Sequence, residues 1–134
     1  RLSYLRANIT NCMFVRAIEK ETLRLLLEMG KSSHPNEYMV MLGAEDGVIN
    51  TVYPIAGTVT SEDSASIFMD MIPLGMGLAG TAHSHPEGPY TPSDADLATF
   101  AETGQIHLIV GQPFDETAWA AYGRNGQPKH LDIV

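Results

Sequence analysis

The chain has 134 residues, 44% of them hydrophobic and 18% charged, which fits one soluble domain with a real core and excludes a disordered chain. Eight basic against sixteen acidic residues give a formal charge of −8, which argues against nucleic acid and any broad phosphate-binding surface. A single cysteine, Cys12, excludes an internal disulfide framework and a zinc site built from several thiolates.

The charge is unevenly spread. Six of the basic residues and three of the acidic ones lie in 1–31, and no Lys or Arg stands between Lys31 and Arg124. The remainder reads as a solvated acidic surface, or as one tuned for high salt or a basic partner. Chemistry in the central stretch has to work without Lys or Arg, which disfavours phosphoryl transfer. No apolar run approaches the roughly 18 residues of a membrane span. The chain starts on Arg1, as a processed or truncated terminus would, and residues 1–12 lack the apolar core of a signal peptide. The expectation is a cytoplasmic protein with an N-terminal arm over 1–12 and a single domain over 13–134.

Met13 to Ile18, with β-branched and aromatic residues, predicts a first strand. In Glu19 to Lys31 the period changes: Leu23, Leu26 and Leu27 sit at i, i+3 and i+4, and Gly30 closes the run as a helix stop would. Glu37 to Ala44 is apolar on both faces after its first residue, as in a buried strand. Asp46-Gly47 predicts a hairpin turn, and Val48 to Thr60 a return strand interrupted near Pro54 and Gly57. Ser61 to Ser64 reads as a loop, and Ser66 to Pro73 as a strand or short helix. Pro73 to Gly80 is a glycine-rich connection. Leu78 to His85 is a strand and Pro86 to Pro92 a proline-rich loop. Ser93 to Thr103 is a second helix ended by Gly104, and Gln105 to Gly111 a buried strand. Thr117 to Gly123 and Lys129 to Val134 predict a final hairpin around Arg124-Asn125-Gly126. The class is α/β or α+β, with a mixed sheet and two helices.

The segment His83-Ser-His-Pro-Glu-Gly-Pro-Tyr-Thr-Pro-Ser-Asp-Ala-Asp96 carries the chemistry. On a strand, His83 and His85 point to one face while Ser84 points to the other. If a helix starts at Ser93, Asp96 lies in its first turn and can fold back toward the strand end. Two imidazoles and a carboxylate make a three-ligand set that leaves the fourth position of a tetrahedral zinc open, as in catalytic sites. Such a site also needs a base that does not bind the metal. Glu37 is the candidate, because a carboxylate opening an apolar strand is costly unless paired or used. Ser93 and Asp96 equally fit a helix capping box, and the two roles are compatible. His34, His107 and His130 read as surface or hydrogen-bonded core residues.

Glu37, His83-Ser84-His85-Pro86, the seven residues before Ser93, and Ser93-Asp94-Ala95-Asp96 resemble the metal-binding pattern of the JAMM metalloproteases, the MPN-plus domain. The resemblance covers roughly residues 13–134. It implies a curved mixed β-sheet flanked by helices, similar to cytidine deaminases, although a deaminase itself needs a His-x-Glu and a Cys-x-x-Cys that this chain lacks. It implies that His83, His85 and Asp96 bind one Zn2+ per chain, that Glu37 activates water, and that Ser93 helps stabilise the oxyanion. It further implies an isopeptidase or peptidase acting after the Gly-Gly tail of a ubiquitin-like protein. The alternatives are a peptidase processing a ubiquitin-like sulfur-carrier protein and a non-catalytic protein-binding scaffold. Thr81-Ala82 before the first His, and the short chain, are more similar to free-standing prokaryotic or archaeal members, which favours a ubiquitin-like modifier over ubiquitin.

Overall fold

The computed structural model describes residues 14–54, 78–87, 90–102 and 104–134. The expected arm over 1–12, the return strand beyond Pro54, the elements between Ser61 and Pro73 and most of the glycine-rich connection lie outside the described residues, as does Cys12.

Among the described residues, seven strands form one mixed sheet. In chain order they are β1 (Ala17–Ile18), β2 (Met39–Glu45), β3 (Val48–Pro54), β4 (Leu78–His85), β5 (Ile106–Gly111), β6 (Trp119–Gly123) and β7 (Asp132–Ile133). The sheet order is β6-β5-β4-β2-β3-β1-β7. Strands β2 and β3 are an antiparallel hairpin, and β4 runs antiparallel to β2 and parallel to β5. The hairpin turn falls where Asp46-Gly47 placed it: both residues have positive φ (53° and 78°), as a tight primed turn requires.

Helix α1 (Lys20–Ser33) covers one face of the sheet. Its Leu23, Leu26 and Leu27 are buried against Val40, Leu42, Ala82, Leu108 and Val110, each leucine contributing roughly 1.5–3 kcal/mol. Helix α2 (Asp94–Glu102) lies on the other face, where Phe100 packs with Ile109 and Tyr122. No helix among the described residues is long and apolar enough to cross a membrane.

Three expectations are corrected. Gly30 does not end α1, which continues to Ser33. It is glycine for space: a Cβ there would lie 2.5 Å from the Phe114 ring. The helix stops at His34, which is extended (ψ 134°) because Pro35 follows it. The first strand is only two residues long in the described part. The final hairpin is only begun: Gly123 N–H donates to Gln127 O and Lys129 N–H to Ala121 O, but Pro128 has no N–H to continue a ladder. Leu131 is then buried in the core, and β7 pairs in parallel with β1 at the opposite sheet edge.

Under α2, His107 is fully buried. Its ring stacks on Phe100 at 4.2 Å. Nε2 donates to Gly104 O at 3.2 Å, so Nδ1 accepts from the Thr81 hydroxyl at 2.7 Å. Burial pushes the His107 pKa from 6.5 down to about 4. The unfolded chain therefore binds an extra proton in that window, and stability present above pH 6.5 is lost as pH falls toward 4, by roughly 3 kcal/mol. Urea unfolding of the metal-free protein should show a midpoint falling across this window. The His107→Gln variant should show a shallower slope, and an equal slope would refute the assignment.

Candidate metal centre

Period-two alternation along β4 sends His83 and His85 to the face under α2, and Ser84 to the face under α1. The two Nε2 atoms lie 3.1 Å apart. Asp96 reaches them from the first turn of α2. Its own position is fixed by a reciprocal cap: Ser93 N–H donates to Asp96 Oδ2 at 2.9 Å, and Asp96 N–H donates to Ser93 Oγ at 3.1 Å. The capping reading of these two residues is thus observed, and it is what aims the carboxylate. Asp96 Oδ1 sits 3.2 Å from His83 Nε2 and Oδ2 3.1 Å from His85 Nε2.

The donor set fits a zinc ion on geometry alone. Tetrahedral zinc with bonds of 2.0–2.1 Å has ligand–ligand edges of roughly 3.3 Å. The two imidazole nitrogens are 3.1 Å apart, and each faces its own carboxylate oxygen, Asp96 Oδ1 at 3.2 Å from His83 and Oδ2 at 3.1 Å from His85, so one donor atom from each residue can converge on a single ion. The side chains of His83, His85 and Asp96 retain 10%, 18% and 18% of their exposure, so the fourth position can be reached by solvent. Burial raises the Asp96 carboxyl pKa, but hydrogen bonds from His83 and His85, the charge of His83 and the Ser93 N–H outweigh it and hold the group well below the usual carboxylate range. It is an anionic donor at neutral pH. Among the described residues, these three form the group of acidic, His and Cys side chains arranged to hold a metal.

Glu37 is placed differently from the expectation. It precedes β2 rather than opening it, and it is exposed, so burial imposes no cost on its charge. The strand register relates it to the histidines. The pairs Met39–His83, Val40–Ala82 and Met41–Thr81, continued two residues outward, set Glu37 opposite His85. Tyr38 turns under α1, where its hydroxyl donates to Leu26 O at 2.6 Å, so Met39, opposite His83, falls on the imidazole face, and the same alternation carried one step beyond Tyr38 assigns Glu37 to that face.

Other neighbours carried no sequence signal. Gly111 pairs with His85 across β5, and the Tyr90 ring occupies the space a Gly111 Cβ would take. Tyr90 donates to Gln112 O and accepts at its own carbonyl from the Tyr122 hydroxyl. Gln112 Nε2 donates to the His34 ring at 3.1 Å, consistent with His34 as a hydrogen-bonded surface residue. His130 pairs with Asp132 on the surface.

The comparisons with known proteins converge. Residues 19–122 match the family model of prokaryotic homologues of the JAB domain. A curated relative from Haloferax volcanii, named "Probable metalloprotease", is 36% identical over 130 residues, covering 90% of this chain and 80% of the relative. A JAB1/MPN domain protein from Archaeoglobus fulgidus superposes with a TM-score of 0.74 and 32% identity, over 88% of this chain and 98% of that one. A second solved structure, presented as "JAMM: A Metalloprotease-like Zinc Site in the Proteasome and Signalosome", has a TM-score of 0.71 and 30% identity, over 90% of this chain and 98% of its own.

Proposed function

The chain belongs to the JAB/JAMM family, in its prokaryotic branch, and from that premise we propose that it is a zinc-dependent peptidase cutting after the C-terminal Gly-Gly of a ubiquitin-like protein. The observation that carries the reading is the convergence of His83, His85 and Asp96, with the two Nε2 atoms 3.1 Å apart and each within 3.2 Å of an Asp96 carboxylate oxygen. These residues would hold one Zn2+. Zinc supplies Lewis acidity there, polarising a carbonyl and making hydroxide accessible at neutral pH.

The chain's own residues do the rest. Glu37, assigned to the imidazole face but outside the ligand set, takes a proton from the attacking water. It returns that proton to the leaving amine, so the peptide bond breaks without a free amide anion. Ser93 Oγ accepts the Asp96 N–H, which leaves its own hydroxyl proton to donate to the carbonyl oxygen as negative charge builds there. Ser93 is exposed, as a group meeting an incoming chain must be. Such a scheme uses no Lys or Arg, in keeping with their absence from the central stretch. An extended Gly-Gly tail suits a site at the end of a strand, since its backbone can add to a sheet edge and its lack of side chains permits close approach.

The test is incubation of the zinc-loaded protein with a ubiquitin-like protein joined through Gly-Gly to a lysine side chain, beside an Ala-Ala control, with masses of the products. Cleavage after the second glycine, absent in the control, is expected. Equal cleavage of both would remove the Gly-Gly specificity. Cleavage of linear extensions alone would point to carrier-protein processing, and binding without turnover to a scaffold.

A further inference from the structure

Position 38 is where β2 parts from β4. In an antiparallel ladder, a hydrogen-bonded pair exchanges two main-chain bonds. Tyr38 and Ser84 are such a pair, by continuation of the register, but they exchange only one: Ser84 N–H donates to Tyr38 O at 3.1 Å. The Tyr38 N–H instead donates to the Ser84 hydroxyl oxygen at 2.9 Å. The side chain of Ser84 stands in for its own carbonyl.

That amide belongs to the peptide bond joining Glu37 to Tyr38, so its partner sets the plane of that bond and with it the rotation at Glu37. Ser84 is fully buried, and its side chain lies on the face opposite the imidazoles. The hydroxyl therefore draws the Tyr38 N–H toward the α1 face. Tyr38 is pinned a third time through its ring, by the hydroxyl bond to Leu26 O. Three fixed bonds on one residue leave its exposed predecessor a defined exit toward the ligand face.

We infer that Ser84 is a positioning residue: its hydroxyl orients the peptide that carries Glu37 and thereby aims the Glu37 carboxylate at the reacting centre. The inference rests on the proposed role of Glu37, and it gives the residue between the two histidines a task of its own. Misplacement of a reacting group by about 1 Å costs on the order of 100-fold in rate.

Two measurements test it. The first needs no activity: amide hydrogen exchange in wild type and Ser84→Ala. Exchange at Tyr38 should accelerate at least tenfold while the amides of Met41 and Leu108 keep their protection. Unchanged protection at Tyr38 would overturn the assignment. The second is a double-mutant cycle in the cleavage assay. Ser84→Ala should lower kcat roughly 100-fold with KM and zinc content unchanged, and should cost little more in a Glu37→Gln background. An unchanged kcat, or the same loss in that background, would show that Ser84 does not act through Glu37. If the alanine chain does not fold, Ser84→Cys, of similar volume but a weak acceptor, carries both comparisons. A wild-type chain that cleaves nothing fails the functional reading instead, and the exchange rate at Tyr38 still decides whether Ser84 holds that peptide.

Discussion

Asp96→Ala is expected to weaken zinc binding by more than about 100-fold and to abolish peptide cleavage. Removing a group that merely orients a metal ligand typically costs 10–100-fold in affinity, and Asp96 is proposed as a ligand itself. The two remaining imidazoles, with Nε2 atoms 3.1 Å apart, would keep no anion to balance a divalent cation. The variant should still fold. Asp96 sits at the start of a helix whose far end is anchored by the buried Phe100, and losing its half of the cap costs about 0.5–2 kcal/mol. Asp96→Asn separates the two effects: it preserves an acceptor for the Ser93 N–H but removes the charge. It should therefore restore most of the lost stability and little of the zinc. Zinc content after passage through a chelating buffer checks both variants, and one zinc per chain retained in Asp96→Ala would exclude this carboxylate from the site.

Glu37→Gln is expected to keep zinc and fold while losing between about 100-fold and 10,000-fold in kcat, the range a positioned general base contributes. The side chain is exposed, and surface substitutions change stability by only about 0.5 kcal/mol, so a large loss of rate with an unchanged melting temperature would be a chemical effect rather than a structural one. Titration of zinc into both proteins with a competing chelator should give the same affinity. Turnover near wild type would remove Glu37 from the mechanism and leave the ligand set standing.

The parts of this site that could be read from the linear chain are those governed by short-range rules. His83 and His85 share a face because strand side chains alternate. Ser93 and Asp96 meet because a helix start has unpaired N–H groups for which side-chain oxygens compete. Leu23, Leu26 and Leu27 define the buried stripe of α1 by their spacing alone. What escaped depends on partners far along the chain. Gly30 looked like a helix stop because its reason for being glycine, the Phe114 ring, lies more than eighty residues away. The crossing of β7 to the edge beside β1 is driven by burial of Leu131 and by open edge groups such as Arg16 O, which accepts from Asp132 N–H. Glu37 stands out as a carboxylate at the start of an apolar strand and by the family resemblance; it is exposed, and what links it to the histidines, the β2–β4 register continued outward to His85, is a long-range pairing that the linear chain does not display.

The central claim is that two imidazoles and one carboxylate hold a zinc ion. X-ray absorption at the zinc edge of the purified protein tests it most directly. One zinc per chain is expected, with a shell of nitrogen and oxygen donors at about 2.0–2.1 Å and the outer scattering of two imidazole rings. A chain that takes up no zinc, or a zinc shell without imidazole scattering, would contradict it.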